Sequence, residues 1–313
     1  MKKTNELLTK NSMVCLLALI CCLLWGSAFP CIKIGYKMFQ IASNDTASQI
    51  LFAGARFTLA GILTIIIGSV LGKKALVPQK GSWHMVFALC MLQTVIQYLF
   101  FYVGLAHTTG VKSSIIEAVN VFIAILVSSL IFHYEKLGKE KIIGCMIGFA
   151  GVVLINLNGS GMEGGMSLMG EGFIVLSTVS YAFSSVLIKK FSQKENPVTL
   201  SGYQFVAGGL IMAAVGLGMG GHLSGFTPAS AALLVYMAMI SAVAYSLWGI
   251  LLKYNPVGKV AVYGFMNPVF GVILSALLLG EQNQAFTAKG LLSLILVCLG
   301  IYMVNKTPRC SQR

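Results

Sequence analysis

The sequence predicts an all-α integral membrane protein of ten transmembrane helices, arranged as two inverted five-helix repeats. Three observations predict it: the scarcity of charge, the placement of the few cations, and a weak self-similarity between the halves of the chain. Of 313 residues, 57% are hydrophobic and only 10% are charged. A soluble domain carries about 25% charged residues, so this chain cannot clothe itself in water. A bilayer core needs roughly 20 apolar residues per helix. Apolar runs of about that length recur at 13–35, 47–71, 84–105, 111–133, 140–157, 168–188, 198–219, 230–252, 257–279 and 287–305.

The first run follows Lys2, Lys3 and Lys10, a pattern shared with signal peptides. The stretch Met13 to Ile32 is too long for a signal core, so it reads as the first span. A net charge of +13 raises the question of nucleic acid. The cations are scattered between apolar runs, not gathered on one segment, so they read as orientation signals. Placing the N-terminus inside puts 17 Lys and Arg in inside connections. Four (Lys33, Lys37, Lys112 and Lys289) fall outside, and Arg56 falls within a helix. That bias predicts ten spans with both termini cytoplasmic, in the cell (inner) membrane. The eight cysteines form no CxxC pair, so neither a metal site nor a disulfide framework is expected. They read as small packing residues.

The third observation is internal repetition. Tyr98 matches Tyr245, Phe101 matches Trp248 and Asn120 matches Asn267, all 147 residues apart. Phe57 matches Phe205 at 148, Glu135 matches Glu281 at 146, and Ala28-Phe29 matches Ala182-Phe183 at 154. The order and near-constant offset carry the signal. The expected units are 12–157 and 168–305, joined by a Gly-rich linker at 158–167. Five spans per unit is an odd number, so the second copy must enter the membrane upside down. Inverted repeats are a recurring plan for secondary transporters, with the binding site at the repeat interface near midplane.

The residues now named resemble a known family. The first span reads Trp25-Gly26-Ser27-Ala28-Phe29-Pro30 and continues to Lys33. The second carries Arg56-Phe57, and the ninth carries Asn267-Pro268 followed by Leu279-Gly280-Glu281. Gly151 and Gly300 precede aliphatic tails in the fifth and tenth. This pattern resembles the EamA family of the drug/metabolite transporter superfamily, in which two five-helix units make one protein. The first half departs from it, with Asn120-Val121 in place of Asn-Pro and His133-Tyr134-Glu135 in place of Leu-Gly-Glu. The resemblance implies alternating-access transport of small metabolites, often export of amino acids or related compounds. It also implies a cavity lined by spans 1, 3, 4, 6, 8 and 9.

Several residues stand out as cavity candidates. Arg56 lies about nine residues into its span, about 14 Å deep at 1.5 Å per residue. A charge there is costly and should face the interior with a partner. It reads equally as a substrate contact and as a structural pair, with Glu117 one possible partner. Glu117 shares a helical stripe with Ser113 and Asn120 and is a candidate proton carrier or amine contact. Gln93 and Gln97 form an i, i+4 pair beside Tyr98. Ser241, Tyr245 and Trp248 share a face, as do Tyr263, Asn267 and Phe270. These would give an aromatic cavity with a few polar contacts, although any single aromatic reads as readily as packing or an interfacial belt. Pro30 and Pro268 are candidate hinges, because proline removes a helical hydrogen bond. Gly144, Gly148 and Gly151 have the spacing of a close helix contact.

No GxxxxGK[ST], HExxH or GxSxG motif is present, so neither catalytic residues nor a cofactor is expected. The expected partners are a small-molecule substrate, the lipid bilayer and protons as coupling ion, with no nucleic acid. A nucleotide-sugar or phosphate-ester carrier is the alternative, and it would want several buried cations. A non-transport membrane protein ranks below both.

Overall fold

The computed structural model describes residues 8–133, 138–156, 167–255, 260 and 262–305. Among these, every regular element is helical. α1 (Asn11–Met38) and α2 (Thr46–Gly72) are continuous. α3 (Lys80–Ala106) and α4 (Gly110–Ile131) are long stretches of mixed helix type. α5 (Lys139–Asn156), α6 (Phe173–Phe191), α7 (Pro197–Gly218) and α8 (Pro228–Tyr254) follow. A 3-10 turn, Val262–Phe265, leads into α9 (Met266–Leu279), and α10 is Ala288–Asn305. Glu135 and all of the expected linker except Ser167 lie outside the described residues.

The helix starts follow from local chemistry. The Asp45 side chain accepts from the Ser48 N–H to cap α2. Asn196 does the same for α7, and Thr227 with Ser230 forms a capping box on α8. Pro197 and Pro228 take the first helical position, where a missing N–H costs nothing.

Among the described residues, seven stretches are long and apolar enough to cross a membrane: Asn11–Met38, Thr46–Gly72, Lys80–Ala106, Gly110–Ile131, Leu168–Ile188, Pro197–Gly218 and Pro228–Leu251. Two shorter apolar helices are Met266–Leu279 and Ala288–Met303. The outer surface of the bundle is greasy, with Val70, Leu71, Phe87, Met146 and Leu277 all well exposed. The interior is the reverse and encloses Arg56, Gln93, Gln97, Glu117 and Gln204. Apolar outside and polar within is the arrangement that lipid demands. The chain is a multi-pass membrane protein.

Small residues hold the bundle together. α2 packs along α7, and α5 along α10. A Cβ placed on Gly61 would sit 2.6 Å from the Gly202 carbonyl oxygen, and one on Gly54 would sit 2.8 Å from that of Gly209. On the second pair, a Cβ on Gly300 would sit 2.6 Å from Gly144 O, and one on Gly151 would sit 2.7 Å from Ser293 O. Backbone therefore lies against backbone, which raises van der Waals contact where lipid offers no hydrophobic drive. The remaining packing comes in matched pairs. α1 rests on α8 and α9, while α6 rests on α3 and α4. Phe57 and Phe205, matched in sequence, meet at 5.4 Å between ring centroids.

Gly61→Leu and Gly300→Leu should each destabilise the fold by about 1–3 kcal/mol or abolish it, as overpacking does. Gly218→Ala, which meets nothing within 4 Å, should leave melting in detergent unchanged.

Candidate functional site

A cavity of about 140 Å³ lies inside the bundle. Its walls come from α1 (Cys22, Trp25, Ala28, Phe29), α3 (Gln97, Tyr98, Phe101), α4 (Glu117, Ala118, Asn120, Val121), α6 (Tyr181), α8 (Tyr245, Trp248) and α9 (Asn267, Pro268). Arg56 of α2, Gly264 and Ile301 of α10 complete it. Each polar group is placed by a feature of its own helix.

Arg56 is fully buried, and each of its nitrogens already donates once. Nε donates to Met237 O at 3.0 Å, Nη1 to Tyr102 Oη at 2.7 Å and Nη2 to Ser241 Oγ at 3.1 Å. Its guanidinium also lies 4.9 Å from the Phe57 ring centroid. Neutral oxygens thus stand where the sequence suggested an acidic partner, and Arg56 tethers α2 to α3 and α8. Among the described residues no ion pair joins Arg56 to Glu117.

Glu117 ends the first segment of α4, Gly110–Glu117, and the helix resumes at Val119. The regular stripe expected from Ser113 to Asn120 is therefore interrupted at Ala118. Glu117 and Asn120 still reach the cavity, and Asn120 interacts with the Glu117 carboxylate. Glu117 Oε2 is buried without a hydrogen-bond partner.

The glutamine pair does not stay together. Cys90–Ile96 is π-helical, and that wider turn breaks the i, i+4 alignment expected of an α-helix. Gln97 lines the cavity, whereas Gln93 bonds Gln204 of α7 at 2.6 Å. Tyr98 and Tyr245, the repeat-matched tyrosines, share a 2.7 Å hydroxyl hydrogen bond at the cavity wall.

Tyr263 is not a lining residue. It packs with Val14, Ala18, Leu251 and Trp248, and its carbonyl accepts from Cys22 Sγ at 3.4 Å. Pro30 is buried inside the unbroken α1 and does not line the cavity. Pro268 stands in the first turn of α9, just after the 3-10 turn, so it marks a change of helix type and not a kink within one helix. The cavity residues not singled out from sequence include Trp25, which makes edge contacts with Tyr245 and Trp248, and Tyr181. Trp25 stood in the Trp25–Pro30 motif, and Tyr181 directly precedes the Ala182-Phe183 match.

Ionic contacts clasp one end of the bundle. Glu281 accepts from the backbone N–H groups of Gly110 and Val111 at 3.1 and 2.8 Å, and lies 3.9 Å from Lys33 Nζ. It caps α4 from the far half of the chain. Thr109 Oγ1 donates to Gln284 beside it. Glu171 accepts from Thr108 Oγ1, the Ser167 N–H and Lys112 Nζ, the last at 3.2 Å. The start of α4 is thereby held by two carboxylates from the second half of the chain.

A lipid-adapted helical bundle built around a polar, aromatic-walled cavity is the build of a membrane transport protein. The chain belongs to the EamA-like transporter family, which matches residues 12–157 and again 168–306. An "Uncharacterized transporter" of Archaeoglobus fulgidus is 29% identical over 304 residues, covering 94% of this chain and 98% of the relative. The "Uncharacterized transporter YvbV" of Bacillus subtilis is 25% identical over 97% of this chain and 95% of its own length. The "Uncharacterized inner membrane transporter YedA" of Escherichia coli K12 is 26% identical, covering 91% and 90%. A crystal structure at 17% identity superposes with a TM-score of 0.65 over 94% of this chain and 96% of that one. That last likeness is one of fold.

Arg56→Lys should lower the melting temperature despite keeping the charge. A compact ammonium cannot reproduce the planar fork, and an unpaired buried oxygen costs about 1–3 kcal/mol. Melting in detergent tests this, and an unchanged value would show that the three acceptors do not need the guanidinium.

Proposed function

We propose that the protein is a secondary transporter that moves a small metabolite across the membrane by alternating access, with export of amino acids or related compounds as its task. The observation that carries this reading is the cavity between the halves, where Arg56 and Glu117 stand among aromatic walls. One end of the bundle is clasped by Glu171 and Glu281, and rocking of the halves would release that clasp. The cavity's charges suit a zwitterion. A cavity of about 140 Å³ with one cation is a poor fit for a nucleotide sugar or phosphate ester, whose phosphates call for several donors. Glu117, a buried carboxylate without a counter-charge bonded to it, is the group we assign to proton coupling. No step in this cycle is a chemical conversion, so the protein is not an enzyme.

The reading includes ten spans in two inverted units, 12–157 and 168–305, joined at 158–167. α9 alone is about 21 Å long at 1.5 Å per residue. Its leading 3-10 turn adds about 8 Å, which brings it near the roughly 30 Å core of a bilayer. The cation bias supports cytoplasmic termini, and the likeness to YedA supports the inner membrane.

Single cysteines at Lys73 and Gly220, on equivalent connections of the two units, should react with an impermeant thiol reagent from opposite sides of the membrane. Labelling from the same side would sink the inverted arrangement. In liposomes, a panel of labelled amino acids, nucleosides and organic cations should reveal saturable flux, reduced at least tenfold by Glu117→Gln. Flux untouched by that change would remove Glu117 from the site.

A further inference from the structure

We propose that the cavity communicates with the clasped end of the bundle through the seam between the first segment of α4 and α9, and that Glu281 is the latch that shuts it. This deepens the transport reading above, on which it rests, by naming one passage and the residue that closes it.

The seam has two matching faces. Gly110, Ser113, Ser114 and Glu117 recur at i, i+3, i+4 and i+7 of one unbroken segment, Gly110–Glu117, so they share a face of the helix. On α9, Asn267, Gly271 and Ser275 recur every four residues within Met266–Leu279. The two faces meet closely. A Cβ on Gly110 would sit 2.6 Å from Ser275 Oγ and 3.2 Å from Leu279 Cδ1. One on Gly271 would sit 2.5 Å from Ser114 Cβ and 3.2 Å from the Phe29 ring. The inner end of the seam is made by two cavity residues, Glu117 and Asn267. From Glu117 to Gly110 is about 10 Å at 1.5 Å per residue, and there Glu281 takes the Gly110 and Val111 N–H groups. The seam thus runs from the cavity to the clasp.

Its polarity separates it from ordinary packing. Ser113 Oγ, Glu117 Oε2 and Ser275 Oγ are all buried without a hydrogen-bond partner. Buried polar groups are nearly always paired, and an unpaired one costs free energy. Three on these two faces are explained if the faces part during the cycle and water or cargo then meets them. The close contact of α2 with α7 is different. There the Thr58 and Thr64 hydroxyls donate to the carbonyls of Gly54 and Ala60 on their own helix, as suits a permanent contact.

What holds the seam shut lies at its outer end. Glu281 stands two residues beyond the end of α9, and its carboxylate sits on the positive end of the α4 dipole. α9 therefore closes on α4 through its own trailing residue. Gln284 adds a bond to Thr109. Glu171 engages Lys112 from the α6 side and leaves the α4–α9 contact to Glu281.

The test places a reporter thiol in the seam of the full-length protein by Ser113→Cys. An impermeant maleimide is supplied to the clasped face of sealed vesicles, and digestion with mass spectrometry reads each cysteine separately. Adding Glu281→Gln should speed reaction at position 113 about tenfold, because a hydrogen bond to a charged group is worth about that factor. Native Cys90, 1% exposed on α3, should react no faster, which shows that the bundle stays folded. If Cys90 is unmasked too, a second variant decides. Thr109→Cys with Gln284→Cys, whose native side chains bond at 2.8 Å, is bridged by a short bis-methanethiosulfonate. The bridge should stop maleimide reaction at position 113, and reductive release should restore it. The proposal is overturned if that thiol never reacts from the clasped face, if Glu281→Gln leaves its rate unchanged in folded protein, or if the bridge leaves it unchanged. The readout needs no cargo, so it fails separately from the transport reading. Saturable flux that survives the bridge sinks the seam alone. A seam that opens and closes as expected in a protein that moves nothing on the labelled panel sinks the transport reading alone.

Discussion

The closeness of α2 to α7, and of α5 to α10, is the constraint on which the rest of the molecule depends. Lipid supplies no hydrophobic drive between helices, so contact must come from shape. Gly54, Gly61, Gly202 and Gly209 remove side chains where the first pair crosses, and Gly151 and Gly300 do so for the second. With two seams fixed backbone to backbone, the remaining helices can stand apart enough to leave a hollow. Residues distant in sequence then become neighbours: Arg56 reaches Met237 and Ser241, and Tyr98 reaches Tyr245.

The two charges at the cavity are held in different ways. Arg56 is enclosed by acceptors from two helices, α3 and α8, and acts as a strut that also carries charge. Glu117 sits at an interruption of α4, next to Ala118, with one oxygen unmatched. A helix break near a carboxylate turns it from a packing element into a contact surface.

Much of this architecture could be read from the sequence, and the misses have two causes. Hydropathy marks the apolar stretches, and the 147-residue offset pairs Tyr98 with Tyr245, whose hydroxyls meet in the structure. Arg56, Gln97, Glu117, Asn120, Trp248 and Asn267 all line the cavity; depth in an apolar run marks the polar ones, and a face shared with Tyr245 marks Trp248. Spacing arguments failed where the helix was not α. The π turn at Cys90–Ile96 separated Gln93 from Gln97, and the 3-10 turn before α9 changed what Pro268 does. The partners of a long-range cap were also out of reach. Glu281 serves N–H groups about 170 positions away, and nothing local in the sequence names them.

The meeting of Tyr98 with Tyr245 has a consequence of its own. Two matched hydroxyls face one another across 2.7 Å, yet a single hydrogen bond has one donor and one acceptor. The hydroxyl that accepts must turn its own hydrogen elsewhere. Even if both halves adopted identical backbones, the pair would stay lopsided by one hydrogen orientation, with two mirror settings interchangeable by rotating both O–H bonds. At that spot the wall of the chamber is a two-position dipole, and whichever setting is adopted decides from which half a spare donor is offered.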